Sequence, residues 1–118
     1  MSKAKHIWVV ILWALMACGP DTIFVRPGLD TPSQHVANGY VLLDQGKAND
    51  ALREFERAKE LDPQFCEAYI GLGIVYGRNG DFETALANMQ QAEILSKNDS
   101  EHEKVLEGFY KLKKMEGN

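Results

Sequence analysis

Laid over itself with a shift of 34 residues, the chain matches at Gly39/Gly73, Val41/Val75, Gly46/Gly80, Ala51/Ala85, Leu52/Leu86, Ala58/Ala92 and Leu61/Leu95. A duplicated unit is the simplest cause, and a unit of that length cannot bury its own apolar face without a neighbour. Within each unit the apolar residues recur at helical spacing, and Gly46 or Gly80 interrupts the pattern near the middle. Each unit therefore reads as helix, tight turn, helix. The expected fold is all-α: repeats at 32–65 and 66–99, then a capping helix at 100–118.

Boundary signals place the helix starts. Thr31-Pro32-Ser33-Gln34 offers a capping hydroxyl with Pro at the first helical position. Asp62-Pro63 repeats this device for the third helix, Asn49 or Asp50 can cap the second, Asp81 the fourth, and Ser100-Glu101-His102-Glu103 opens the fifth. In that last helix Val105, Leu106, Phe109 and Leu112 form a stripe suited to covering Leu86, Met89 and Leu95.

Ahead of the repeats the chain has a different character. Lys3 and Lys5 precede an apolar run from Ile7 to Ala17, the order of a secretory signal peptide. As a helix that run reaches only about 16 Å, roughly half of a bilayer's hydrocarbon core, so cleavage is expected rather than a spanning anchor. Leu15-Met16-Ala17-Cys18 resembles the lipobox of bacterial lipoproteins. The resemblance implies removal of residues 1–17 and lipidation of Cys18; the other reading is a plain secreted protein or an N-terminal helix. Gly19 after the cysteine implies the outer membrane, facing the periplasm. Residues 18–31 then read as an extended tether, since Gly19, Pro20, Pro27 and Gly28 forbid a helix across them.

Period 34 with these residues resembles the tetratricopeptide repeat. The second unit carries Tyr69, Leu72, Gly73, Tyr76, Ala85, Met89 and Ala92 where that family has its signature residues. The first carries Gly39, Leu42, Ala51, Phe55, Ala58 and Pro63, but His35 and Asn38 replace the usual large apolar pair. A looser first helix is expected. The resemblance implies an α-solenoid whose first helices line a concave channel, here through Val36, Tyr40, Leu43 and Asp44, then Glu67, Ile70, Ile74 and Arg78. That strip suits an extended or helical peptide, with the charged residues setting its direction. Alternatively the tether or a second copy of the chain covers it.

The full chain has 13 basic and 17 acidic residues, and losing Lys3 and Lys5 leaves 11 against 17, a formal −6. Such a surface supplies no field for nucleic acid or anionic headgroups, so membrane contact would come from lipid alone. His35 and His102 lie far apart, Cys66 is a lone thiol once Cys18 is acylated, and no nucleophile–base pair or metal-ligand spacing emerges. No cofactor is expected. The whole points to a non-catalytic, lipid-tethered adaptor for an envelope protein or peptide, the resemblance suggesting pilus or outer-membrane assembly. The rival is a self-associating structural lipoprotein, stacking through the His35/Asn38 face.

Overall fold

A computed structural model describes residue 28 and residues 30–118. The expected signal peptide, Cys18 and nearly all of the tether lie outside the described residues. Among those described are five helices and no strand: α1 Pro32–Asp44, α2 Ala48–Leu61, α3 Cys66–Arg78, α4 Phe82–Leu95 and α5 Asp99–Glu116. None of them is long and apolar enough to cross a membrane.

The two turns inside the repeats are copies of each other. Gly46 and Gly80 stand at φ +75° and +82°, the left-handed region where a side chain is strained. Around them the Lys47 amide donates to the Leu42 carbonyl at 2.9 Å and the Asp81 amide to the Tyr76 carbonyl at 3.0 Å. These bonds satisfy carbonyls that the ends of α1 and α3 would leave unpaired. Both turns thus share one hydrogen-bond pattern.

Helix starts follow the sequence signals in two places and depart in three. The Thr31 hydroxyl accepts the Gln34 amide at 3.2 Å and the Asp81 carboxylate accepts that of Thr84 at 3.1 Å, as expected for α1 and α4. Helix α2 starts at Ala48 behind Lys47 without a side-chain cap, because Lys47 stands where the second repeat has Asp81 and its side chain offers no acceptor; Asn49 and Asp50 fall inside the helix. Asp62 caps a turn instead of α3: its carboxylate accepts the Gln64 amide at 3.0 Å, its carbonyl accepts that of Phe65 at 3.0 Å, and the helix begins at Cys66. Helix α5 begins at Asp99, capped by Asn98 rather than Ser100. Asn98 accepts the Glu101 amide at 2.9 Å while Glu101 reaches back to the Lys97 amide at 2.7 Å, a capping box displaced toward the N-terminus.

Phe55 and Met89, 34 residues apart, are fully buried and hold the core. Small residues make room for them. A Cβ at Gly39 would stand 2.6 Å from the Phe55 ring, one at Gly71 closer still, and one at Gly73 would stand 2.8 Å from the Met89 methyl. Ala51, Ala58, Ala85 and Ala92, all without exposed surface, complete the notches.

Helix α3 touches each of the other four helices and is buried almost all round; α1, at one end, buries only Val36, Gly39 and Leu43. Helix α5 packs into the angle between α3 and α4 instead of covering α4 alone. Val105, Gly108 and Leu112 face inward there. Leu106, expected on the inward stripe, is 53% exposed, and Leu86, expected beneath α5, is 44% exposed. The stripe is centred closer to Gly108, whose missing side chain admits Met89 and Ile70.

Candidate functional site

Three helices enclose a cleft of about 340 Å³. Its floor is Val36 from α1 with Ile70 and Ile74 from α3; Tyr40 closes one flank, and Glu67 stands at the rim. Five of the eight residues expected along the channel thus meet in one depression. The other three do not. Leu43 points into the core, and the Arg78 guanidinium donates to the Leu43 carbonyl at 3.0 Å, clamping the end of α1 onto α3. Asp44 is exposed outside the cleft.

The opposite wall is α5, through Lys104, Glu107, Gly108 and Lys111, with Ser33 and Ala37 completing the α1 side. A sequence signal for this wall existed. Moving Ile70 and Ile74 on by the same 34 residues lands on Lys104 and Gly108, so α5 occupies the position of a third unit's first helix.

The rim is charged yet balanced. Lys104 pairs with Glu67 across α5 and α3, and Glu107 pairs with Lys111 at 2.7 Å along α5. The bond to Glu67 raises the Lys104 pKa, and the bond to Lys111 lowers that of Glu107, so each of these two groups is held in its charged form. A balanced rim around an apolar floor does not attract a highly charged ligand. It favours one that brings apolar side chains.

Tyr40 is the polar handle of the floor. Its ring meets that of Phe55 edge-on, centroids 5.2 Å apart, which ties the cleft to the inter-repeat core. Burial, then the carboxylates of Glu67 and Glu107, push the Tyr40 hydroxyl up to about 12. It remains a neutral phenol able to donate a hydrogen bond.

Cys66 is buried with its Sγ donating to the Ala92 carbonyl at 3.2 Å, and burial pushes the thiol up to about 11, far from a reactive thiolate. Among the described residues no three His, Cys, Asp or Glu side chains are grouped to hold a metal.

Comparison with known proteins agrees with this geometry. Residues 39–80, from the middle of α1 through the turn after α3, match the TPR repeat family. Over these residues the chain is similar to TPR repeat proteins. A 68-residue stretch, 58% of the chain, is 34% identical to the cellulose synthase operon protein C of Escherichia coli K12 and to the putative protein of the same name from Escherichia coli O157:H7. That stretch spans only 6% of the length of either relative. Stacked helical repeats of this kind form concave surfaces on which other proteins bind.

Proposed function

We propose that this protein is a non-catalytic TPR adaptor, tethered to the cell envelope by a lipid on Cys18, which holds an apolar peptide segment of an envelope protein in the α1–α3–α5 cleft. The cleft carries this reading: an apolar floor of Val36, Ile70 and Ile74, a phenolic donor at Tyr40, and a charge-balanced rim. A volume of about 340 Å³ suits a few side chains of a peptide rather than a folded domain. The lipobox-like Leu15-Met16-Ala17-Cys18 supports the tether, and Gly19 favours the outer membrane. Assembly of pili or of outer-membrane proteins fits such an adaptor. The relatives' link to a cellulose synthase operon adds cellulose synthesis as a further setting in which to look.

Crosslinking in native membranes, followed by mass spectrometry, tests the docking role. The wild-type chain is expected to capture a partner that the Tyr40→Ala/Ile74→Ala double variant loses while keeping its helicity. Equal capture removes the cleft from the account. Cys18→Ser is expected to move the chain from membrane to soluble fractions; unchanged membrane association contradicts the tether. Stacking through the His35/Asn38 end would have to break bonds those side chains already make to Asp30 and Glu54. Sedimentation at tens of micromolar is expected to return a monomer.

A further inference from the structure

The α1–α2 end of the solenoid holds a histidine whose two ring nitrogens both face carboxylates. His35 Nε2 lies 2.8 Å from Asp30 Oδ1 and Nδ1 lies 2.8 Å from Glu54 Oε2. A neutral imidazole has one N–H and one lone pair, so it can satisfy only one of these contacts; the imidazolium donates to both. Asp30 stands just ahead of α1, in the stretch that leads into the solenoid, whereas Glu54 sits in the second turn of α2. His35 therefore bridges the approaching chain to the body of the first repeat.

We infer that His35 is a proton-operated latch: protonated, it pins Asp30 and the start of α1 to α2, and on losing its proton it lets the approaching chain loosen. The charged groups facing it are Asp30 from the approach and, from α2, Glu54 and Arg57, with Glu60 bound to Arg57. From α1 itself come only neutral partners, Gln34 donating to Asn38 at 3.0 Å and Asn38 donating to Glu54 at 3.3 Å. Arg57 donates to Asp30 Oδ2 at 2.7 Å, so the carboxylate is shared between a permanent cation and a titratable one. Deprotonation sends one proton to solvent and leaves a lone pair 2.8 Å from a carboxylate oxygen. Glu54 is held in a packed helix, and Asp30 is held by side chains alone, so the bond to Asp30 is the one that gives, leaving the exposed Arg57 as the remaining hold on its carboxylate.

The direction with pH follows from the same contacts. Partial burial lowers the His35 pKa, but the bonds to Asp30 and Glu54 outweigh it and the net shift is upward from about 6.5. The arginine and histidine beside Asp30 lower its carboxyl below its ordinary value. The latch is thus fully closed below about pH 6.5, down to the range where carboxylates protonate, and opens as pH rises through the elevated histidine value.

Nuclear magnetic resonance of the full-length chain in detergent micelles tests this, following the His35 ring signal and the backbone order parameters of Asp30 and Thr31 between pH 5.5 and 8.5. The order parameters are expected to fall from roughly 0.85 toward 0.6 in step with His35 deprotonation. In His35→Gln they are expected to stay flat with pH. Asp30→Asn, which leaves the helices' own contacts intact, is expected to bring the His35 titration down toward its ordinary value. Order parameters that do not change while His35 titrates, or a His35 titration that ignores Asp30→Asn, overturn the latch.

Discussion

His35 and Tyr69 stand at the same position of successive repeats, yet one is bonded to two carboxylates at the solenoid's end and the other is buried in its middle, its hydroxyl donating to the Pro63 carbonyl at 2.7 Å. The next position in the pattern repeats the contrast, with Asn38 exposed on Glu54 and Leu72 buried. The reason is what lies outside each helix. Helix α3 has neighbours on every side, so apolar groups at those positions stay dry. Among the described residues no repeat packs on the outer side of helix α1, and large apolar groups there would lack that cover. The substitutions expected to loosen α1 give it a polar end instead. A terminal repeat departs from the family pattern where it must be soluble and keeps it where it meets its neighbour.

The sharpest way to break this contrast is at the boundary between the repeats. Phe55→Ala empties a fully buried site shared by α1 and α3 and is expected to lower stability by about 3–5 kcal/mol in urea denaturation. A loss under 1 kcal/mol would mean that the repeats are held elsewhere. Next come the two glycines that touch the same ring from opposite helices. Gly71→Ala is expected to cost about 2–3 kcal/mol because α3 is wedged on all sides, and Gly39→Ala about 1 kcal/mol because α1 can shift outward. Equal costs would erase the distinction between the wedged and the end helix. Gly46→Ala and Gly80→Ala are each expected to cost about 1–2 kcal/mol through the left-handed backbone, nearly equally, since both turns have one geometry. A wide gap between the two would show that the repeats' turns are not equivalent. Lys104→Ala, at the exposed rim, is expected to stay within about 1 kcal/mol of the wild type.

Much of the architecture was legible because it is periodic. The repeat length, the two glycine turns and the pairing of Phe55 and Met89 with small residues all follow from an offset that identical local geometry requires. The starts of α2, α3 and α5 were less legible. Asp50, Asp62 and Ser100 are all competent caps, and which of several nearby groups closes a helix depends on the direction from which the turn delivers the chain. The cleft was half legible. Val36, Tyr40, Glu67, Ile70 and Ile74 were placed by register, whereas Leu43 and Arg78 were drawn into joining α1 to α3.

From its sequence alone this chain is committed to repeated helical hairpins, because glycines, alanines and a bulky apolar residue, Phe55 or Met89, at a spacing of 34 permit close helix contact in matching registers. Where α5 goes was a matter for the folded state. Its stripe could cover α4 alone or fill the angle between α3 and α4, and shape complementarity around Gly108 favours the second. That choice turns an open channel into a three-walled cleft. The bridge from Asp30 through His35 to Glu54 likewise exists only once separate segments are brought within hydrogen-bond reach, a distance that no local spacing encodes.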